Sequence, residues 1–414
     1  MMADAPQAID YDIIIAGGGM IGTSFALALA PLGLRMAVVE AVARAAAKQP
    51  SFDERSTALS RSSQRMFTAM GLWDDIEAAA TPIRSIHVSE KGRFGFAHID
   101  ADEQGVEALG YVVINRVLGG VLQAALDQQE NIDVLCPARI SAVKSDDEKS
   151  VVCVDQGGST RELSCRLLVA ADGERSSVRD MLGISATCSD YGQHAVVGNV
   201  LPEKAPANRA YERFTESGPL AMLPIADDRA AFVWIVQSSE VEKILALDDT
   251  SFTAKLQESF GLRLGRFSKV GARAAYPLGL SKANGLIVRR GVLIGNAAHG
   301  LHPVAAQGFN LGLRDVAALS DCIADTRSNG VVDPGSAGVL EDYASWRRAD
   351  QGKLVHFTDG IVRLFGSRIP AVRTLRNIGM LGFDLIPGVR TLFAKHTMGL
   401  AGKLPRLSRG VPLT

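Results

Sequence analysis

Three glycines and one glutamate near the start of the chain have types and spacing that suit a nucleotide site. The segment "YDIIIAGGGMIGTSFALALAPLGLRMAVVE" contains Gly17-x-Gly19-x-x-Gly22, and Glu40 follows 18 residues after Gly22. Gly17 permits a tight turn, Gly19 lets a pyrophosphate approach the backbone, and Gly22 lets a helix pack closely on a strand. Glu40 can accept both hydroxyls of an adenosine ribose, and its charge disfavours a 2′-phosphate. This spacing predicts a dinucleotide site, for NAD or for FAD.

The elements around these glycines are those that such a site requires. "DIIIA" predicts a buried strand, the Ala/Leu-rich stretch after Gly22 predicts a helix, and "MAVVE" predicts a second strand. The start of the helix offers free N–H groups and a positive dipole end to phosphates. A glycine-rich loop without a ligand is the alternative, and the complete strand–helix–strand context argues against it.

A second segment places an acid and a glycine at the end of a predicted strand. "LLVAADGERSSVRDMLGI" runs from an apolar strand into Asp172-Gly173, and a short helix with Arg179 follows. In open α/β sheets, ligands bind at the carboxyl ends of the strands. An ordinary Asp-Gly turn is the alternative interpretation of this segment.

A third segment, "GVLIGNAAHGLHPVAAQGFNLGLRD", ends a strand at Gly295-Asn296, turns at Pro303 and begins a helix at Gly308 and Asn310. Its small residues would let a flat ring lie on the main chain. The helix start would stabilise negative charge on a reduced flavin by ~0.3–2 kcal/mol. The Asn296 amide suits a sugar-alcohol chain, and a small-residue packing site is the alternative. Together the three strand-end segments predict FAD, because an NAD domain needs only the first.

Composition bounds the class of protein. The chain has 414 residues, more than one hydrophobic core usually supports, so we expect two or more domains. A net charge of -1 gives no field that favours nucleic acid. The five cysteines show no metal-site spacing, which predicts a reduced, intracellular chain without a metal. The start lacks the basic region of a signal peptide, and no apolar run reaches the ~18–20 residues of a bilayer span.

The order of the predicted elements indicates an α/β fold with a divided cofactor domain. Short alternating strands between 186 and 284 predict a mainly antiparallel sheet that caps the flavin and lines the substrate pocket. We expect 81–110 to join this inserted α+β substrate domain. The Rossmann-like FAD-binding domain would then comprise 1–80, 111–185 and 285–350, followed by a helical C-terminal segment, 351–414.

The C-terminal segment 351–414 carries an excess of positive charge. It contains ten Lys/Arg and two acids, Asp359 and Asp384, so its charge is +8 and that of the remainder is -9. We expect helices that break at Pro370 and Pro387. A cationic amphipathic tail predicts attachment to an anionic membrane surface. The alternative is a pair of helices packed on the FAD-binding domain with their arginines in water.

These motifs resemble those of the group A FAD-dependent aromatic hydroxylases, which are similar to p-hydroxybenzoate hydroxylase. "DERSTALSRSSQRMFTAMGLWDDI", "YVVINRVLGGVLQAAL", "FTESGPLAMLP" and "HPVAAQGFNLGLRD" resemble the ubiquinone-biosynthesis hydroxylases of the UbiH, UbiF and VisC type. The likeness extends over essentially the whole chain. Asn296 stands where the broader family has Asp, as in the UbiH branch, and Ala306 stands where members usually have Gly.

The resemblance implies roles for individual residues. Arg55 and Arg116 would lie near the FAD phosphates or the flavin, and Asp172 would contact the pyrophosphate region. Asn296 would bind a ribityl hydroxyl, and the Pro303 carbonyl would lie beside the reactive flavin carbon. For each arginine, a solvated or helix-pairing side chain is the alternative.

The resemblance also implies a reaction. NAD(P)H, bound transiently without its own Rossmann domain, would reduce FAD. O2 would then form a flavin C4a-hydroperoxide that hydroxylates the aromatic ring of a polyprenylated phenol in ubiquinone biosynthesis. A phenol reacts better as phenolate, so a group that accepts its proton is expected. His194, Tyr211, His299 and His302 are candidates by residue type only.

The same resemblance predicts a cytoplasmic enzyme, either free or peripheral on the inner membrane and in a ubiquinone-biosynthesis complex. Three other functions remain open at this point. The first is a hydroxylase of a small soluble aromatic. The second is a reductase of isoprenoid double bonds with the same fold. The third is a flavin-binding scaffold with little turnover of its own.

Overall fold

A computed structural model describes residues 9–44, 55–93, 95–300, 307–328, 333–348, 350 and 387–413. The strands in chain order are β1 (Tyr11–Ala16), β2 (Met36–Val39), β3 (Ser56–Ser60), β4 (Thr81–Ile83), β5 (Ser85–Glu90), β6 (Phe96–Asp100), β7 (Gly110–Ile114), β8 (Ile132–Leu135), β9 (Arg139–Ser145), β10 (Ser150–Gln156), β11 (Ser159–Ala170), β12 (Ala186–Pro202), β13 (Arg209–Phe214), β14 (Pro219–Pro224), β15 (Ala230–Gln237), β16 (Phe267–Val270), β17 (Ala274–Ala283), β18 (Ile287–Val288), β19 (Gly291–Leu293) and β20 (His299–Gly300). The helices are α1 (Met20–Leu29), α2 (Arg61–Ala69), α3 (Trp73–Glu77), α4 (Asn115–Leu126), α5 (Ser177–Met181), α6 (Val241–Leu245), α7 (Asp249–Phe260), α8 (Gln307–Ser328), α9 (337–348) and α10 (Pro387–Thr397).

The first sheet has a parallel centre formed by the strands predicted around the glycines. Its order is β18-β19-β11-β1-β2-β8, and β10 and β9 extend it from β11. The strands β19, β11, β1, β2 and β8 are parallel, whereas β9, β10 and β18 run antiparallel to their neighbours. Ile13, Ile14 and Ile15 of β1 are fully buried, as expected for a central strand of a parallel sheet covered by helices. The helix α1 packs against α4 and α8.

The second sheet is mainly antiparallel and has two distinct faces. Its order is β20-β17-β12-β15-β14-β13-β5-β6, with β16 beside β12, and β13 and β5 form its parallel pair. Because side chains alternate along a strand, successive residues lie on opposite faces. The outer face carries Val196, Met222 and Trp234, and these pack against Phe252 and Leu256 of α7.

The inner face of the second sheet is directed toward the rest of the molecule. It carries Ala210 and Ala231, which cluster with Ile83 and Val112 of a small third sheet, β3-β7-β4. The strand β4 therefore pairs with β7, whereas β5 and β6 join the second sheet. The inner face and the third sheet form one apolar contact, which sets the position of the second sheet against the cofactor domain.

The described end of the chain, 387–413, packs on the remainder of the molecule. The helix α10 begins at Pro387, where a break was predicted, and Ala394 and Met398 cluster with Ile99 of β6. The Arg406 guanidinium Nε donates to Asp321 Oδ1 at 2.8 Å. This part of the C-terminal segment thus contacts the second sheet through α10 and α8 through Arg406, and Arg390 pairs with Glu103. The predicted break at Pro370 lies outside the described residues.

The α/β fold class with an inserted, mainly antiparallel sheet and a C-terminal helix is confirmed, while the domain boundaries stay a prediction. Every helix among the described residues is too short or too polar to cross a lipid bilayer. In the same residues, no group of three or more His, Cys, Asp or Glu side chains could hold a metal ion. The free thiols are Cys136, Cys153, Cys165, Cys188 and Cys322.

Candidate functional site

The three strand-end segments meet at one edge of the first sheet. β19, β11, β1 and β2 are consecutive neighbours, and Ala16 pairs with both Ala170 and Val39. Because these strands are parallel, the residues that follow them lie at the same edge. That edge holds the glycine loop after β1, Asp172 after β11, Gly295 after β19 and Glu40 after β2. Three strand spacings span about 14 Å, so the sequence prediction that these segments converge agrees with the structure.

The first segment forms a cradle in which side chains would collide with the backbone. Gly17 has φ +106°, and a Cβ there would lie 2.5 Å from the carbonyl oxygen of Ala171. A Cβ on Gly22 would lie 1.9 Å from the carbonyl oxygen of Gly17. Gly19 is the N-terminal cap of α1 and accepts a hydrogen bond from the Thr23 N–H at 3.0 Å. Glycine is required at Gly17 and Gly22 by geometry, and the bare loop exposes the N-terminus of α1 to an anion.

Glu40 is held beside this loop by backbone donors. Its Oε2 accepts from the Gly18 N–H at 2.7 Å, and its Oε1 accepts from the Val42 N–H at 2.7 Å. Each carboxylate oxygen has two acceptor sites, so both oxygens can also accept hydroxyl donors. The geometry therefore fixes two acceptor oxygens at the edge of the cradle.

Asp172 keeps acceptor capacity in the second segment. Its Oδ2 accepts from the Val178 N–H at 3.1 Å, at the start of α5. Its Oδ1 is buried and has no hydrogen-bond partner among the residues the structure describes. A buried acceptor without a partner costs ~1–3 kcal/mol, which a ligand donor would recover. Gly173 has φ +90°, and the position of a Cβ there would be open space.

Arg179 joins the second segment to the third. The side chain is buried, and its Nη1 donates to the carbonyl oxygens of Glu174 at 3.0 Å and Ala297 at 3.2 Å. One guanidinium thus bridges two loops whose residues lie more than a hundred positions apart in the chain. We assign Arg179 a positioning role between these loops.

Asp315 of α8 holds the third segment in place through hydrogen bonds. It is fully buried, and its Oδ2 accepts from the Gly295 N–H at 2.9 Å and from His299 Nε2 at 2.6 Å. Its Oδ1 accepts from Arg347 Nε at 2.6 Å. Burial raises the pKa of Asp315, but the neighbouring His299 and Arg347 outweigh burial and lower that pKa to about 2. The acid is therefore ionised at neutral pH and holds the loop after β19 in place.

The sequence contained a signal for Asp315 that the motif reasoning did not use. Leu311, Asp315 and Leu319 follow at four-residue spacing in α8, and all three are fully buried. An acid on the apolar face of a helix requires a partner elsewhere in the fold. Arg347 is that partner, and Asp350 binds both Arg347 and Arg314 beyond it.

The other predicted residues of the third segment differ in exposure and in hydrogen bonding. Asn296 is exposed at the tip, and Gly308 is half-buried in the first turn of α8. Asn310 is buried, and its Oδ1 accepts from the Ser60 N–H at 2.8 Å and from the Ser63 hydroxyl at 2.8 Å. Asn310 therefore anchors α8 to the end of β3 and the start of α2. Pro303, His302 and Ala306 lie outside the described residues.

The two predicted arginines occupy different surroundings. The guanidinium carbon of Arg55 lies 4.5 Å from the ring centroid of Tyr276, on the inner face of the second sheet. Arg55 thus connects the cofactor domain to that sheet. Arg116 is exposed in the first turn of α4.

Two of the described candidates for proton acceptance, His194 and Tyr211, lie on the outer face of the second sheet. His194 shares the outer face with Val196, and its Nδ1 lies 3.0 Å from the Ser238 hydroxyl. Tyr211 is buried on the outer face, with its ring centroid 5.6 Å from that of Phe260. His299 is bound to Asp315, as described above, and His302 lies outside the described residues.

Glu212 is the acid of β13, and no motif in the sequence pointed to it. It lies between Tyr211 and Arg213, which point outward, and so it lies on the inner face with Ala210. Burial raises the pKa of Glu212 to about 7. The available signal was the alternation in "RAYERF", which places one acid on the face that carries alanine.

Comparison with known proteins decides the family. A family model described as an FAD binding domain matches residues 10–358. Ubiquinone hydroxylase UbiL of Rhodospirillum rubrum is 37% identical over 406 residues, which cover 97% of this chain and 93% of that protein. The 3-demethoxyubiquinol 3-hydroxylase of Escherichia coli is 32% identical over 395 residues, which cover 94% of this chain and 98% of that protein. The chain belongs to this family of FAD-dependent ubiquinone hydroxylases.

Family membership confirms the predicted enzyme class and cofactor. The chain is an FAD-dependent monooxygenase of the ubiquinone hydroxylase family, and NAD(P)H is the reductant typical of that family. The fold agrees with that of the p-nitrophenol 4-monooxygenase PnpA from Pseudomonas putida DLL-E4, with a TM-score of 0.80 and 18% identity over 95% of this chain and 99% of that chain. The cradle at Gly17 and Gly22 and the partnerless Oδ1 of Asp172 fit a bound dinucleotide on geometry alone.

Proposed function

We propose that this hydroxylase adds oxygen to the aromatic ring of a polyprenylated phenol in ubiquinone biosynthesis, with FAD, NAD(P)H and O2. The observation that carries the proposal is the convergence of three strand-end segments at one sheet edge, beside a sheet with an apolar inner face. The names of the relatives support the substrate class.

Bound FAD supplies the redox and oxygen chemistry, and the chain supplies binding and orientation. Glu40 accepts the ribose hydroxyls, and the bare loop at Gly17 and Gly19 admits the pyrophosphate to the N-terminus of α1. Asp172 accepts a donor near the pyrophosphate through its partnerless Oδ1. Asn296, exposed at the tip of its loop, binds the ribityl chain.

The remaining predicted residues act at the two ends of the cofactor. We propose that Arg55 and Arg116 serve the FAD phosphates or the flavin, and that the start of α8 at Gly308 faces the ring. The carbonyl of Pro303 is assigned to the side of the reactive flavin carbon by family resemblance.

The inner face of the second sheet provides the surface for an apolar substrate. Between Glu212 on β13 and Tyr276 on β17 lie four strand spacings, or ~19 Å. The residues between them on this face are small or apolar, and they include Ala221, Val233 and Ala195. This apolar face excludes water from the ring to be hydroxylated and offers apolar contact to a prenyl chain.

We extend the proposal to peripheral attachment at the inner membrane, because a polyprenyl phenol dissolves in the bilayer. The C-terminal segment carries an excess of +8, and Leu392 of α10 is 61% exposed. Each surface cation contributes about 1 kcal/mol to binding an anionic membrane. The full chain should bind anionic vesicles at least 100-fold more weakly than the wild type when four arginines are replaced by glutamine. These are Arg363, Arg368, Arg373 and Arg376. Equal binding would contradict attachment through this segment.

Oxygen-18 labelling tests the reaction. Purified enzyme with FAD, NAD(P)H, 18O2 and a prenylated phenol should incorporate one labelled oxygen atom per product. A reductase would yield product without label, and a scaffold would show no substrate-stimulated NAD(P)H oxidation. Deletion of the gene in its host, followed by mass spectrometry of quinone precursors, tests the pathway. An unchanged quinone pool would point to a small soluble aromatic as substrate.

A further inference from the structure

Glu212 lies in the wall of the proposed substrate surface. It pairs across the sheet with Val88 of β5 and Ala221 of β14. Its neighbour on the same face of β13, Ala210, packs against Ile83 and other residues of the third sheet. Glu212 therefore lies next to the contact between the inner face and the cofactor domain.

The side chain of Glu212 is partly buried, and its pKa is raised. It is half-buried, so it keeps contact with solvent, yet surrounding protein raises its pKa to about 7 through loss of hydration. A carboxylate on the outer surface would keep its water, and a carboxylate in a packed core would have no exposed area. The two observations together describe a carboxyl group that is largely surrounded by protein and is still reached by solvent.

No described charge compensates Glu212. Arg209 and Arg213 on its own strand and His87 on β5 point to the outer face, because they alternate with it. Glu90 of β5 is a further titratable side chain on the inner face, two residues beyond Val88, and β14 contributes only apolar side chains there. Arg55 also faces the inner face, but it lies over Tyr276 of β17, four strands away from β13. Burial alone raises the pKa of Glu212. Among the described residues, Glu212 therefore has no hydrogen-bond donor or cation that a structural acid would need.

We propose that Glu212 accepts the phenolic proton of the substrate during hydroxylation. The inference rests on the proposed function and names the group that deprotonates its substrate. The phenol O–H bond breaks, the proton bonds to a Glu212 oxygen, and the electron pair stays on the phenol oxygen and activates the ring. After oxygen insertion, the ring C–H proton leaves to solvent, and Glu212 returns its proton to the oxygen. O2 and NAD(P)H supply the oxidant and reductant, with water as the second product.

The raised pKa of Glu212 makes it a better base for this step than an ordinary glutamate. An ordinary glutamate is a weak base toward a phenol with a pKa near 10, whereas a carboxylate with a pKa of about 7 is stronger and is half ionised at neutral pH. Protonated Glu212 is neutral and therefore stable in these partly buried surroundings. The transfer moves the charge to the phenol oxygen and stays uphill by about three pKa units, so Glu212 accepts the proton as the ring reacts and not beforehand.

The test compares Glu212→Gln with Glu216→Gln, a matched change at an exposed acid in the next turn. Both variants are assayed as FAD-loaded full chains with 2-geranylphenol and with a ring-fluorinated 2-geranylphenol of lower pKa. We expect E212Q to bind FAD normally and to lose ~10²–10⁴-fold in kcat at pH 7. Its activity should recover as pH approaches ~10, where the phenol ionises unaided. The fluorinated substrate should reduce the defect, and E216Q should match the wild type.

The pH profile of kcat separates a chemical role from a structural one. The kcat of the wild type should fall as pH drops below ~7, because Glu212 becomes protonated and can no longer accept a proton. E212Q should lack this fall. Three outcomes overturn the inference alone: E212Q activity within 3-fold of the wild type, a loss that neither high pH nor fluorination relieves, or the same fall of kcat below pH ~7 in both proteins. Wild-type enzyme that yields no labelled product from 18O2 overturns the proposed function, and this inference with it.

Discussion

Replacement of Asp315 by asparagine tests whether its charge holds the third strand-end segment in place. The substitution keeps the size of the side chain and removes its charge. Asp315 receives a backbone N–H from Gly295, a ring nitrogen of His299 and the guanidinium of Arg347, at distances of 2.9, 2.6 and 2.6 Å. An amide can present only one acceptor oxygen, so at least one of these donors loses its partner.

The expected loss of stability is large because the network is buried. Arg347 is 2% exposed and Asp315 is fully buried, and removal of one partner from a buried ion pair costs ~3–5 kcal/mol. The pH dependence follows from the lowered pKa. Asp315 has a pKa of about 2 in the folded chain against an ordinary value of 3.8. Its ionised form therefore contributes ~2.5 kcal/mol that is present above pH ~4 and lost as pH falls toward 2.

Urea unfolding at saturating FAD, followed by tryptophan fluorescence, measures the effect. We expect Asp315→Asn to lower the free energy of unfolding by ~3–5 kcal/mol at pH 7. The gap from the wild type should stay constant to pH 5 and narrow below pH ~4. Asp127→Asn, at a surface pair with Arg44, serves as control and should cost under ~1 kcal/mol. A loss below ~1 kcal/mol for Asp315→Asn would show that Asp315 does not hold a buried ion pair.

Three further predictions concern the other segments. Gly17→Ala should weaken FAD binding by at least ~10-fold in a fluorescence titration, because the added Cβ meets the Ala171 carbonyl. Gly33 also has a positive φ but has open space around it, so Gly33→Ala should leave FAD affinity unchanged. Arg179→Met should lower the free energy of unfolding by about 2–4 kcal/mol, because two carbonyls lose a charged donor; a thermal shift below 1 °C would contradict this. The raised pKa of Glu212 makes wild-type stability fall as pH rises from about 4.5 to 7, by up to ~3 kcal/mol. E212Q should lack this fall in urea titrations across that range, and an identical fall in both proteins would count against the pKa.

The cofactor edge could be predicted from sequence because its signals are local. Gly17, Gly19 and Gly22 stand between a strand and a helix, and the geometry of the turn alone requires the first and third. Asp172 and Gly295 each follow an apolar strand. Since parallel strands of one sheet end at the same edge, their convergence follows once the sheet is recognised.

The face of each strand in the second sheet could not be predicted in the same way. Alternation shows that Tyr211 and Glu212 lie on opposite faces, but not which face meets the cofactor domain. That choice depends on contacts with the third sheet and with α7, which are distant in sequence. Residue type therefore pointed to Tyr211 and His194, whereas the structure places Glu212 on the inner face.

Buried ion pairs between separate helices were also beyond the sequence. Asp315 and Arg347 are 32 positions apart, on α8 and in α9. The burial of an acid indicates that a partner exists, but many arginines could fill that role. Only the packing of the helices selects Arg347.

The assigned chemistry depends on the three strand-end segments forming one site for FAD. The most direct measurement is the visible spectrum and FAD content of the purified chain, with thermal unfolding in added FAD. We expect a yellow protein with close to one FAD per chain, stabilised by about 2.7 kcal/mol when free FAD is 100 times its Kd. A colourless protein whose melting temperature does not respond to FAD would contradict the claim.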